Sequence, residues 1–290
     1  MRMTVAIIVL FLVGMASAQV QVPDPSKDLI YFCPMDRDIH SNSPGSCPRC
    51  GMKLVAGVPD PAEFHLDLSI SPKAPKAHDR IHLKFDIHDP WKDNLVRKFN
   101  TVHEKLFHAF IVSEDLQFFV HDHPGWMDGA FLYDITLPKP GMYRVLSDFY
   151  PEGATPQLVV KTLFVAGTPP AQTVITRDYS TKSGENLKVE LATIPAQPVA
   201  GFNTQMRFTV SPGDGLEKYL GAWGHMLVAS DDLIDMIHTH PFIADGSTQM
   251  QFDVTFPRAR TYRVWVQVQR NSVVNTVHFD IPVGTGDHHP

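Results

Sequence analysis

"HLDLSISPKAPKAHDRIHLKFDIHD" (residues 65–89) aligns without gaps on "KVELATIPAQPVAGFNTQMRFTVSP" (residues 188–212). In the first stretch apolar side chains recur at every second position: Leu66, Leu68 and Ile70, then Ile81, Leu83, Phe85 and Ile87. In the second they are Val189 and Leu191, then Met206, Phe208 and Val210. A period of two puts alternate side chains on one face, the pattern of half-buried strands. A second pair of matched segments follows, "LPKPGMYRV" (137–145) and "FPRARTYRV" (256–264), with strand alternation through Tyr143 and Val145 and through Tyr262, Val264, Val266 and Val268. Pro and Gly fill the joins, and no stretch carries a helical apolar stripe.

Short strands between turn signals, spread over roughly 100 residues, predict an antiparallel β-sandwich of immunoglobulin-like outline. The fold expectation is therefore mainly β: two tandem immunoglobulin-like antiparallel β-sandwiches, at 63–167 and 187–284, preceded by a small cysteine-rich module at 29–56. The polar, proline-containing span 168–186 reads as a linker, and 285–290 as a disordered tail.

The centre of each copy carries a shared pattern. Residues 108–124 read "HAFIVSEDLQFFVHDHP" and residues 225–241 read "HMLVASDDLIDMIHTHP". Both are H-x12-H-x-H-P, giving His108, His121 and His123 in one copy and His225, His238 and His240 in the other. Ser-Glu-Asp-Leu and Ser-Asp-Asp-Leu read as four-residue hairpin loops. That loop sets His108 opposite His121 and His225 opposite His238. A shifted loop changes the register. Two histidines in H-x-H share a strand face, so each set can converge on one ion. Three imidazoles suit zinc or copper and do not choose between them. The alternative is a set of solvated histidines at a sandwich edge. Protonation near pH ~6.5 is expected to weaken ligation. Asp148 aligns with Gln267, so the first copy is expected to have a carboxylate near its own triplet. Met236, two residues before His238, is either a thioether ligand or core filling. His103 and His108 form H-E-x3-H, which lacks the spacing of a zinc-protease helix.

All three cysteines lie in "YFCPMDRDIHSNSPGSCPRCGMKL" (31–54), spaced C-x13-C-x2-C. So short a segment cannot bury a useful core, and a metal held by Cys33, Cys47 and Cys50 would staple it. A Cys47–Cys50 disulfide with Cys33 left over is the competing reading. A thioredoxin-like pair would require a βαβ surround that is not present.

The strip resembles the short heavy-metal-binding domain found at the ends of bacterial copper and heavy-metal ATPases and of periplasmic efflux adaptors. Tyr31, Cys33, Pro34, Met35, Pro44, Gly45, Cys47, Pro48, Cys50, Gly51, Met52 and Leu54 carry the likeness. The histidine that this pattern places after its first methionine is replaced by Asp36, so His40 or Asp36 is expected as fourth ligand. The two copies more loosely resemble YtkA-like domains of bacterial exported proteins, through V-S-E-D-L…H-x-H-P and the G-x-Y-R-V strand.

The N-terminus sets the expected compartment. Arg2, the apolar run 5–14 and Ala16-Ser17-Ala18 read as a secretory signal peptide (1–18) cleaved before Gln19, with an uncleaved anchor as the alternative. A formal net charge of −6 and a pI near 6.2 give no footing for nucleic acid or anionic lipid. The resulting expectation is an exported, periplasmic or secreted, heavy-metal-binding protein without enzymatic activity. Copper is the first candidate and zinc the second. Sequestration, buffering or delivery is the role, with an efflux or copper-handling protein as partner. A metal-responsive adaptor module is the alternative.

Overall fold

The computed structural model describes residues 31–33, 39–49, 51–57, 62–92, 94–152, 154–171, 173–242 and 244–286. The expected signal peptide, Asp36, Cys50 and the last four residues lie outside these. The chain divides into two compact units, 1–60 and 61–290.

The first unit contains three short antiparallel strands, β1 (Tyr31–Phe32), β2 (His40–Ser41) and β3 (Val55–Ala56), with β1 in the middle. A tight turn follows Cys47: Gly51 N–H donates to the Cys47 carbonyl at 2.9 Å and Cys47 N–H to Met52 at 2.7 Å. Gly51 takes a φ of 75°, a left-handed value that favours glycine.

The second unit holds both copies. The first has β4 (His65–Ser71), β5 (Arg80–His88), β6 (Phe107–Ser113), β7 (Phe119–Asp122), β8 (Gly125–Met127), β9 (Ala130–Thr136), β10 (Gly141–Phe149) and β11 (Gln157–Val165). They form two sheets ordered β4-β5-β9-β8 and β11-β10-β6-β7. That is the two-sheet antiparallel order of an immunoglobulin-like sandwich. The second copy has β12 (Lys182–Ser183), β13 (Lys188–Ile194), β14 (Asn203–Ser211), β15 (Leu216–Glu217), β16 (His225–Ser230), β17 (Met236–Thr239), β18 (Gln249–Thr255), β19 (Thr261–Arg270) and β20 (Val273–Pro282). One sheet runs β12-β13-β14-β18; in the other, β19 pairs with β20, β16 and β15, and β16 with β17. Among the described residues there is no helix.

Each sandwich encloses its own core, around Phe85, Phe107 and Phe131 in the first copy and Phe208, Phe252 and Phe279 in the second. A third cluster lies between the copies: Phe110, Val112, Leu116 and Leu146 from the first pack with Leu227, Ala229, Met236 and Trp265 from the second. The sheets containing β6 and β16 thus bury both faces. Alternate residues of β6 (Phe107, Ala109, Ile111) enter the sandwich core, and the intervening ones (Phe110, Val112) enter the third cluster. Every residue of β6 and of β16 is buried for this reason. The span 168–186, expected as a linker, takes part in the fold. Ile175 is buried in the third cluster, Asp178 bridges to Asp280, and β12 pairs with β13.

Candidate metal centre

The hairpin β6–β7 pairs Phe110 with His121 and Ala109 with Asp122, and β16–β17 pairs Leu227 with His238. The expected registers of His108 with His121 and His225 with His238 are therefore each displaced by two residues. The cause is the loop. Ser113 stays in the strand because its hydroxyl accepts from Phe118 N–H at 2.9 Å and donates to Asp115. Ser230 does the same with Asp235 N–H at 3.0 Å and with Asp232. The loop starts one residue later than expected. A displacement of two keeps the side chains on the same face.

That face is the one turned toward the other copy, so His108, His121 and His225 are buried and His123, His238 and His240 partly buried, rather than at a wet edge. His108 and His225 are 2% and 1% exposed. In each set, His108 with His121 and His123 and His225 with His238 and His240, one ring nitrogen per residue lies within 4.8 Å of the others. His108 Nδ1 is 3.2 Å from both His121 Nε2 and His123 Nε2, and His225 Nδ1 is 3.0 Å from His240 Nε2.

The remaining ring nitrogens decide which atoms carry lone pairs. His108 Nε2 donates to the Val102 carbonyl at 2.9 Å, and His225 Nε2 to the Tyr219 carbonyl at 2.8 Å. A carbonyl oxygen only accepts, so Nδ1 of each ring is bare in the neutral imidazole. His121 Nδ1 donates to Gln267 Oε1 at 2.7 Å, while Gln267 Nε2 donates to Thr276. His238 Nδ1 donates to Asp148 Oδ2 at 2.6 Å. The inward Nε2 of His121 is therefore bare, and that of His238 is buried with no hydrogen-bond partner. Converging lone pairs on rings oriented from behind are what a three-imidazole metal site requires. The residues present fit a bound ion.

Orientation from behind crosses between the copies. Gln267 of the second copy serves His121 of the first, and Asp148 of the first serves His238 of the second. The carboxylate stands near its own triplet as expected, directly across the strand pair from His108, but its hydrogen bond goes to His238 of the other copy. His103 is a further member: its ring stacks on His240 at 3.6 Å between centres and lies 5.5 Å from that of His225. It is carried by a two-residue turn closed by paired Val102 and Lys105 hydrogen bonds. Both central residues, His103 and Glu104, have positive φ (46° and 64°), which is uncommon outside glycine, asparagine and aspartate. Leu220 and Gly221 hold the matching turn in the second copy. Rings of the two sets approach closely: His121–His225 5.5 Å, His108–His238 5.8 Å, His121–His238 6.0 Å and His108–His225 6.4 Å.

Burial favours the neutral form of His108, His121, His123, His225 and His240. Desolvation pushes His108 and His123 down to about 4, His225 to about 3 and His121 to about 2, and lowers His240 further still. Hydrogen bonds to Val102, Gln267 and Tyr219 oppose it only in part. For these five rings protonation falls below the expected value near 6.5. Met236 is buried among the apolar side chains of the third cluster, and its counterpart Phe119 stacks on Trp265 at 5.0 Å. Both fill space between the copies.

In the cysteine module Cys33 and Cys47 are buried and His40 is exposed on β2; Cys50 is outside the described residues. Sequence reasoning did not identify His103, Gln267 or the carbonyls of Val102 and Tyr219 as parts of the centre. The unbroken apolar runs of β6 and β16 were the available signal, since a strand buried on both faces loses its alternation.

The family model described as "Domain of unknown function (DUF8832)" matches residues 62–163 and again 181–285, and the "Heavy metal binding domain" model matches residues 30–56. No curated protein matches the chain. Among solved structures it is similar to the fibronectin(III)-like modules of Clostridium thermocellum CbhA, 12% identical over 78% of this chain and 99% of that one, TM-score 0.23. It is also similar to the Escherichia coli adhesin FdeC, 14% identical over 79% of this chain and 67% of that one, TM-score 0.25. The Yersinia pseudotuberculosis adhesin InvE is 12% identical over 75% of this chain and 59% of that one, TM-score 0.24.

Proposed function

We propose, for a chain that belongs to the DUF8832 family and holds two copies of that domain behind a heavy metal binding domain, that it is an exported copper-binding protein. Sequestration, buffering or delivery of the ion is its role. The cysteine module captures a soft ion through thiolates, and each histidine triplet holds one. The observation that carries this reading is the set of inward, hydrogen-bond-fixed lone pairs, with His238 Nε2 buried and unpartnered. Export rests on the signal-peptide pattern of residues 1–18, and binding without catalysis on the lack of a cysteine ligand in either sandwich sequence.

Charge favours copper(I) over zinc. Asp148 is hydrogen-bonded to a triplet ring, and Asp122 stands 3.8 Å from His123. Two monocations there leave far less uncompensated charge in a buried site than two dications. Zinc remains the second reading, because three imidazoles also suit it.

The test is anaerobic titration of the full chain carrying Cys33→Ser, Cys47→Ser and Cys50→Ser with Cu(I) and, separately, Zn(II). Two copper equivalents are expected, falling to one in His121→Ala or His238→Ala. Unchanged stoichiometry in folded variants sinks the reading.

A further inference from the structure

The two triplets share one buried space and exchange their supporting groups. Four rings, one pair from each set, stand 5.5–6.4 Å apart across the junction. Within the sets the rings are 4.8–5.5 Å apart in the first and 4.6–6.1 Å apart in the second. The rings of the two sets are hardly farther from one another than the rings within each set, so ions held by the two triplets would be close neighbours. Two monocations that close in a protein interior repel by enough to divide their affinities on the order of tenfold to a hundredfold.

The supports are unequal. Asp148 hydrogen-bonds His238 with a charged carboxylate, whereas His121 receives only the neutral amide of Gln267; the carboxylates beside the first set, Asp148 across the strand pair from His108 and Asp122 at 3.8 Å from His123, are not placed behind its rings by a hydrogen bond. A carboxylate behind a ligating imidazole raises its basicity and fixes its orientation. The second set therefore has the stronger donor, although the carboxylate belongs to the first copy.

We propose that the two triplets form one coupled two-ion centre that fills in a fixed order: the His225, His238 and His240 set first, under the control of Asp148, and the His108, His121 and His123 set second. Asp148 and Gln267 act as positioning residues, each for the opposite copy. The proposal rests on the copper-binding reading above and adds order and coupling to it.

The experiment is competition of the full-length triple cysteine-to-serine protein against a chromophoric Cu(I) chelator under anaerobic conditions, with Asp148→Asn and Gln267→Glu made in the same background. Two steps at least about tenfold apart are expected. Asp148→Asn keeps an acceptor for His238 but removes the charge. It should weaken the tighter step about tenfold and leave the other within a factor of about three. Gln267→Glu should strengthen the weaker step and draw the two together, a gain that loss of folding cannot mimic. Two equal, independent steps overturn the proposal while leaving copper binding intact, as does equal weakening of both steps by Asp148→Asn. No Cu(I) bound at all overturns the copper reading and the proposal with it.

Discussion

Arg263 Nη1 donates to the Leu116 carbonyl at 2.8 Å, joining β19 of the second copy to the hairpin loop of the first across 147 residues. The same guanidinium grips Asp280 through two bonds, at 2.7 and 2.8 Å, and both side chains are buried. Arg263→Ala removes the clamp and leaves the Asp280 charge buried alone. The expected loss is about 3–5 kcal/mol. Urea unfolding measures it, and Arg263→Ala with Asp280→Ala should recover part of the loss. A change below about 1 kcal/mol in the single variant would contradict the clamp.

Trp265 tests the third cluster. It is 4% exposed and stacks on Phe119 of the other copy with an interplanar angle of 11°. Trp265→Ala should cost about 3–5 kcal/mol. If the copies fold as one cooperative unit, the transition stays single but shifts. Two separate transitions in the unmodified protein would show that the junction contributes little.

Acid should destabilise the ion-free protein in a defined window. His108, His123 and His225 bind protons in the unfolded chain near pH ~6.5 but resist them when folded, down to about 4 for His108 and His123 and about 3 for His225. The unfolded state therefore holds more protons between those values, and stability falls as pH drops through that interval. At full slope each histidine contributes about 1.4 kcal/mol per pH unit. Unfolding free energies at pH 7.5, 6 and 5 test this. A flat profile would count against burial of the cluster.

Cys47→Ser should remove one thiolate-bound equivalent from the full chain and leave the histidine equivalents in place. The ultraviolet thiolate-to-copper band reads the first, and chelator competition reads the second. Persistence of the band at full strength would remove Cys47 from the ligand set.

Much of this fold was legible because its outer sheets obey simple alternation. Burial in β5 follows the Ile81, Leu83, Phe85 and Ile87 period residue by residue, and the two copies align along β4–β5 and β13–β14 as their sequences do. The triplets were legible through spacing alone. Hairpin register was not, because it depends on whether the Ser113 and Ser230 hydroxyls hold their residues in the strand, a choice of one position in the loop. The support of His121 by Gln267 and of His238 by Asp148 was hidden for a different reason. It arises from docking two sheets that lie 146 and 90 residues apart at those contacts, and no local pattern encodes a docking angle. His103 was obscured by its left-handed turn, which breaks strand periodicity where the ring enters the cluster.

The chain segment that carries Ile175 and joins the two copies has a consequence for how they meet. Two such halves on separate chains would find each other at a rate and extent set by their concentration, and a symmetric pair would require identical groups on both sides. Covalent attachment replaces that dependence with a fixed effective concentration. The junction then assembles at any dilution, and each half is released from mirroring its neighbour. Divergence at a single matched position, Asp148 against Gln267, is the kind of asymmetry that only a tethered pair can inherit.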